Sequence, residues 1–563
     1  MKTYDHNKIG TDLLEKGEYE EAISEFTKAI DNMLPDFADA HYKRSLAYYQ
    51  KGEYGLAIAD ATRAIESNSR HMEAYYNRGI AYLRKERFDM AISDLNRAVE
   101  INPSYTEAYY FRGIAYRNEK EYEMAIIDFD KAISLNASYA EAYYHRSVTY
   151  LDKEEYDRVI DDATKAIQLN PDYAEAYYSR SIAYLKKGQY ELAMADFDRA
   201  IGLDPHSADG YRNRGVAYYE KGEYGQAISD FNRTIGLDHD DALAYYCRGL
   251  VYLEEGELNK AIADMTKAIE IKPNYVEVYC NRGIMYQRKE QFELARADFS
   301  KAIELSPSYT EAYLNRGLTY YKEGNYDQAM PDLSRAIELN PDYAEAYHAH
   351  GMACYNMGKY DLAIDDFSRL IELKPKMAEA YYDRAIVYSL LEKHEQAIAD
   401  LDRAIELDPS LAAAYYVRGL ARFNRQEYEL AIGDLDQAIQ LDPSITEAYY
   451  RRGIVHRLNE RYDLAVTDLS EVIKKKPKES KPYHDRGFTY YLKREYDLAI
   501  LDLTKAIELN PGSASSYYIR GLTYKGKRKF DLAVADFKKA VSFSRDPDAA
   551  IAARQEIQNL GGY

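Results

Sequence analysis

The sequence has no tryptophan, three cysteines, no run of eighteen consecutive apolar residues and no excess of basic charge, since 74 Lys+Arg stand against 94 Asp+Glu. Each shortage excludes something. Cys247, Cys280 and Cys354 form no CxxC or Cys/His zinc spacing and are too few for a disulfide framework, which points to a reducing compartment. The missing apolar run excludes a membrane-spanning helix, and MKTYDHNKIG at the start has no apolar core of a secretory signal, so a cytoplasmic location is expected. A net charge of −20 argues against coating nucleic acid or anionic membrane. There is no P-loop, no GxGxxG after a strand, no HExxH and no nucleophile elbow, so neither an enzyme nor a cofactor is expected. With 46% hydrophobic and 30% charged residues, the chain is nonetheless a folded one.

What is abundant is tyrosine, 60 residues in 563. Fourteen of them, from Tyr75, Tyr109 and Tyr143 through to Tyr517, each follow the previous one by 34 residues. Such a period marks a repeat architecture. The register begins with a unit of 35 residues, 3–37, and continues with fifteen units of 34, from 38 to 547. With these tyrosines at position 4, position 8 is small, position 20 is alanine except for Val159, and position 32 is often proline.

Within one unit, AEAYYSRSIAYLKKGQYELAMADFDRAIGLDPHS from Ala174 to Ser207, two stretches with apolar helical periodicity flank a short break. Each predicts an amphipathic helix of about 13 residues. Gly188 suits the left-handed turn that closes the first helix, and Pro205 follows the second. The unit is therefore an αα-hairpin, with helix A first and helix B second. The pattern Tyr-x2-Arg-Gly-x2-Tyr, then Ala-x3-Leu/Phe, then Pro resembles the tetratricopeptide repeat, Trp-x2-Leu-Gly-x2-Tyr…Ala-x3-Phe…Pro. The resemblance implies an all-α solenoid, a right-handed superhelix of about sixteen hairpins that serves as a non-catalytic scaffold or adaptor for other proteins. After Asp546-Pro547, residues 548–563 put Ala550, Ala553, Ile557 and Leu560 on one stripe. They predict a C-terminal capping helix.

Position 7, a leucine in the family, is arginine in fourteen of the fifteen later units, and position 23 is aspartate in all fifteen. Examples are Arg78 with Asp94, Arg248 with Asp264 and Arg282 with Asp298. Both positions lie eight residues from the turn, so the two side chains stand at one level of an antiparallel hairpin. A partly buried arginine needs a counter-charge, which favours an ion pair across the hairpin. The rival arrangement pairs each aspartate along its own helix, as Asp264 with Lys267.

In the family, helix A positions 2, 5, 6, 9, 12 and 13 line the concave face. Here position 2 is mostly acidic (Glu107, Glu141, Glu175), position 5 is tyrosine in ten units (Tyr110, Tyr144, Tyr178, Tyr246, Tyr382, Tyr416 and Tyr450 among them), and position 6 varies. The expected partner is an extended polypeptide with apolar and basic residues, tyrosine giving contact area at low entropy cost. The plainer alternative is that these glutamates complement helix N-termini and the tyrosines pack between units. The lysine and asparagine combination of a chaperone-carboxylate clamp is missing. The asparagine ladder of protein O-GlcNAc transferases is represented only by Asn281 and Asn315, with Asn77 and Asn213 isolated.

Residues 446–547 carry 21 basic and 14 acidic side chains, a net +7, against −26 for residues 1–445. Two clusters make the basic end: Lys474, Lys475, Lys476 and Lys478, then Lys525, Lys527, Arg528 and Lys529 with Arg545. A solvated surface is the simplest account. A polyanion or nucleic-acid dock, or self-association against the acidic body of another copy, is the alternative function. In the unit beginning at Ala344, His350, Cys354 and Asp366 are three candidate metal ligands. With no fourth evident, His350 is expected to replace the usual arginine opposite Asp366, and no metal is expected.

Overall fold

The computed structural model describes residues 5–31, 37–544 and 547–561, without the side chains of 547–549. It contains thirty-three α-helices and no strand among those residues. Consecutive helices pair into antiparallel hairpins, such as Ala242–Glu254 with Leu258–Ile271. Helix A has 13 residues and helix B 14 in these hairpins, as the periodicity predicts. The chain divides into two compact units, residues 1–285 and 286–563. In each, a hairpin packs on its sequence neighbours, so each is a solenoid of helix pairs.

The turn inside a hairpin is made by backbone hydrogen bonds that wrap the end of helix A. Glu257 N donates to Tyr252 O at 2.8 Å and Gly256 N to Leu253 O at 3.1 Å, the reciprocal pattern that ends a helix in a left-handed residue. Gly188 and Gly256 occupy that conformation with φ of 69° and 77°. So do Glu86, Lys120 and Arg528, at φ of 56°, 63° and 57°. The hydrogen-bonded turn imposes the conformation even where a Cβ makes it costly.

Inside the hairpin, a small residue at position 8 receives a large one at position 24. Phe129, Phe231 and Phe537 are fully buried. A Cβ on Gly215 would stand 2.8 Å from Phe231 Cε1, and one on Gly521 2.7 Å from the same atom of Phe537. Two units exchange the sizes: where position 8 is Ser45 or Ser147, position 24 shrinks to Ala61 or Ala163, whereas Ser181 stands opposite the fully buried Phe197. Alanines at positions 3, 20 and 27, such as Ala244, Ala261 and Ala268, are fully buried and let the helix axes approach.

The last helix, Pro547–Asn559, packs against the final hairpin. Ala553 is fully buried, Leu560 is nearly so, and Ile557 rests on Ala533 and Phe537. An apolar face that a further hairpin would occupy is thereby covered. Asp546, which precedes this helix in the sequence, and Arg545 of the second basic cluster lie outside the described residues.

Candidate functional site

The arginines of position 7 organise the polar interior. Arg248 Nε donates to Asp264 Oδ2 at 2.7 Å, and Nη2 donates to Oδ1 at 2.6 Å. The remaining nitrogen, Nη1, donates to Asn232 Oδ1 at 2.6 Å, on helix B of the preceding hairpin. The guanidinium also lies 5.4 Å from the ring centroid of Tyr245. Lys267, the rival partner of Asp264, pairs with Glu270 at 3.1 Å instead. Arg78 repeats the pattern with Asp94 at 2.7 Å and Thr62 at 2.9 Å. Arg282 donates to Thr266 Oγ1 at 3.0 Å, and Asp298 is buried. In the first unit, where position 7 is Ile9, Glu25 at position 23 pairs with His6 at 2.7 Å and Lys28 at 2.5 Å.

The second acceptor, at position 25 of the preceding hairpin, escapes a reading of single units. Its trace in the sequence is that position 25 is always Thr, Asn, Asp or Ser from Thr62 to Thr504. Only Lys538 breaks the series, in the sixteenth unit, which no further arginine follows. Each arginine thus ties its own hairpin to the one before.

The helix A positions read as a groove divide into two kinds. Glu107, Glu141 and Glu175 are exposed. The tyrosines of position 5 are mostly spent on the next hairpin. Tyr178 Oη accepts from Asn213 at 2.7 Å, and Tyr246 Oη accepts from Asn281 at 3.0 Å. Tyr450 Oη donates to Asp485 at 2.5 Å. Tyr110 and Tyr450 keep 8% exposure each, so they offer almost no contact area. Burial, with the charge of Asp209, pushes the Tyr178 hydroxyl up to about 12, and burial also raises Tyr144, Tyr382 and Tyr416. These groups stay neutral at physiological pH. Asn315 donates to Glu311 O at 2.8 Å, within its own helix.

Position 5 also packs on the tyrosine of position 34, with ring centroids 4.9 Å apart in Tyr110–Tyr139 and in Tyr144–Tyr173, and 5.4 Å in Tyr246–Tyr275. In the unit 344–377 both rings are missing, replaced by His348 and Met377. A pocket of about 790 Å³ opens there. Leu318, Met352, Leu370, Leu373 and Met377 form its apolar wall, with Ala349 at the back and Glu345, Lys374 and Lys376 on the rim. His348 is held by Asp383 at 2.9 Å. A smaller pocket, about 330 Å³, opens beside Tyr144 and Tyr178 where Ser207 takes the place of the position 34 tyrosine.

His145, at position 6, lies against Tyr110 and Tyr144 with ring centroids 5.4 and 4.9 Å away, and its Nδ1 has no hydrogen-bond partner. Burial, reinforced by Arg117, lowers its pKa to about 4. A histidine in an unfolded chain titrates near 6.5, so the unfolded state binds more protons between those values. Stability of residues 1–285 is therefore expected to fall as pH drops from about 6.5 toward about 4. NMR titration of the His145 ring checks this, and a midpoint above 6 would contradict it.

Half of the described residues of the basic clusters pair with carboxylates of the chain. Lys476 approaches Glu447 at 3.5 Å and Glu479 at 3.3 Å, Lys474 approaches Glu471 at 3.6 Å, and Lys525 pairs with Glu556 at 2.5 Å. Lys527 pairs with Asp497, and Lys475 donates to Pro443 O beneath the Tyr449 ring. Lys478, Arg528 and Lys529 are exposed.

At position 7 of the unit 344–377, His350 Nδ1 stands 2.6 Å from Asp366 Oδ2. Burial alone would lower its pKa, but the Asp366 carboxylate and Cys354 raise it to about 9. At neutral pH the imidazolium takes the arginine's place in the pair. The Nε2 atom contacts Ser334 Oγ, the position 25 acceptor, at 3.1 Å.

Family models described as tetratricopeptide repeat match residues 7–71, 73–105, 106–139, 140–173, 163–195, 310–343, 378–411, 416–480, 480–513 and 514–547. A model described as TPR repeat matches segments from 182 to 324 and 351–391. Comparison with curated proteins finds no match. Among solved structures, YrrB, titled a TPR protein with an unusual peptide-binding site, is 30% identical over 33% of this chain and 95% of its own, with a TM-score of 0.30. A tetratricopeptide repeat protein from Parabacteroides merdae is 23% identical over 46% of this chain and 98% of its own, at a TM-score of 0.34. The Cut9–Hcn1 hetero-tetramer of APC/C is 19% identical over 85% of this chain and 94% of the other, also at 0.34.

Proposed function

The chain belongs to the tetratricopeptide repeat family, whose members mediate protein–protein interaction, and from that premise we propose that it is a non-catalytic scaffold that takes an extended polypeptide along helix A. The observation that carries the reading is the pocket in the unit 344–377. Glu345, His348, Ala349 and Met352, with Leu318 and Tyr321 of the preceding hairpin, bring positions 2, 5, 6, 9 and 12 of helix A into its lining, positions through which the family contacts its partners, while helix B and the loop after it supply the rest. A cavity of this size and apolar lining suits one or two large apolar side chains. The partner therefore presents an apolar anchor, and Glu345, Lys374 and Lys376 select the polar residues beside it. In residues 1–285, the exposed Glu107, Glu141 and Glu175 favour basic residues in a bound segment. Docking of a polyanion or of a second copy through the basic C-terminal repeats has less support, because most of those lysines already face carboxylates of the chain.

The test refills the pocket. Peptides selected on the full chain from a random library are expected to share a large apolar residue. The double change His348→Tyr with Met377→Tyr, which rebuilds the ring pair seen in Tyr110–Tyr139 and Tyr144–Tyr173, is expected to weaken them at least about tenfold. Peptides that bind this variant as tightly as the original chain would place the contact elsewhere.

A further inference from the structure

The cluster at His350 contains a fourth donor that no single hairpin reveals. Cys354 Sγ lies 3.8 Å from His350 Nδ1 and also 3.8 Å from Met330 Sδ, which belongs to helix B of the preceding hairpin, Tyr326–Leu339. His350, Cys354 and Asp366 hold their ligand atoms within 4.8 Å of one another. We propose that His350, Cys354 and Met330, with Asp366 beside them, form a binding site for a thiophilic monovalent cation, Cu(I).

Three departures from the repeat pattern coincide here. Position 7 is His350 where the later units have arginine, and position 11 is Cys354 where most have tyrosine. Position 21 of the preceding unit is Met330 where isoleucine is usual. Each departure puts a ligand suited to Cu(I) where the pattern has arginine, tyrosine or isoleucine, and the fold gathers His350 and Met330 around Cys354 Sγ. The absence of a fourth ligand, which in the sequence argued against a metal, does not hold in three dimensions.

The spacing fits. Metal–sulfur bonds near 2.3 Å at tetrahedral to trigonal angles separate two sulfurs by about 3.8–4.0 Å, and a sulfur from a nitrogen by about 3.5–3.7 Å. Thiolate, thioether and imidazole together select Cu(I) over the harder divalent ions. Cys354 is fully buried, whereas the His350 side chain keeps 12% exposure and marks the side of entry. On binding, the thiol proton of Cys354 leaves to solvent and the Nδ1 proton of His350 passes to the Asp366 carboxylate 2.6 Å away, so one proton departs for one monovalent ion and no electron is transferred. The Cys354 thiolate then balances the charge of the ion, and Ser334 holds the ring through Nε2.

The test uses the full chain under anaerobic conditions, with Cu(I) supplied as its coloured bicinchoninate complex. One Cu(I) per chain is expected to leave the chelator, and Cys247→Ser with Cys280→Ser is expected to keep that stoichiometry. His350→Arg with Cys354→Tyr restores the residues of the other hairpins and is expected to abolish uptake while circular dichroism stays unchanged. Met330→Ile is expected to weaken binding by about tenfold or more. Equal uptake by the original chain and the double variant, no uptake by either, or uptake of zinc in place of Cu(I) would each overturn the assignment.

Discussion

Replacing Asp264 with alanine is expected to destabilise its hairpin by about 3–5 kcal/mol, and replacing Arg248 by a comparable amount, while the double change costs clearly less than the sum. Asp264 is 6% exposed and accepts two hydrogen bonds from one guanidinium. Removing either partner leaves the other charge in a poorly solvated hairpin interior, and that penalty is counted once in each single variant. It vanishes when both are gone. The arginine change carries a further loss, because Arg248 Nη1 also bonds Asn232 of the preceding hairpin. A double-mutant cycle read by urea unfolding, with hydrogen exchange of residues 242–275 to localise the effect, measures the coupling. Additive losses would show that the two charges do not depend on each other.

Phe231→Ala is the second large effect, with an expected loss of about 3–5 kcal/mol. The ring is fully buried and sits edge-on to Gly215. In a solenoid each hairpin touches only its neighbours, so the loss should appear as local opening of residues 208–241 and adjacent hairpins, with distant amides unchanged. The chain itself contains the compensated form, since Ser45 faces Ala61 and Ser147 faces Ala163. Because Ser181 is accommodated opposite the fully buried Phe197, its hydroxyl bonded to Tyr178 O, Gly215→Ser alone is expected to cost only about 1 kcal/mol. Gly215→Ser combined with Phe231→Ala is expected to recover part of the stability lost in Phe231→Ala. Hydrogen exchange across the three variants measures this, and a double variant no better than Phe231→Ala would mean that positions 8 and 24 are not matched in volume.

Much of the candidate surface was legible from single units. The acidic series at position 2 is exposed where the helical period puts it. The tyrosines of position 5 were less legible. Tyr178, Tyr246 and Tyr450 look like contact residues in a unit taken alone, yet their hydroxyls are engaged by Asn213, Asn281 and Asp485, each 35 residues further on. A side chain bonded to the next hairpin has little left for a partner. The pocket escaped for the complementary reason. It is made by the absence of two rings, and a missing ring in a sequence does not say whether a neighbour moves in to fill the space.

The sequence by itself determined the hairpin: two helices, a turn at position 15, a small residue opposite a large one, and charges at positions 7 and 23 brought level. All of these lie within about twenty residues of chain, where the rise of the helix and a fixed antiparallel turn leave almost no freedom. Only the tertiary structure decided what joins one hairpin to the next: Arg248 to Asn232, Tyr178 to Asn213, Cys354 to Met330, and the cavity beside Met352. Those contacts depend on the offset and rotation between neighbouring hairpins. Neither follows from helical periodicity, because both are set by how the side chains of the two faces interlock.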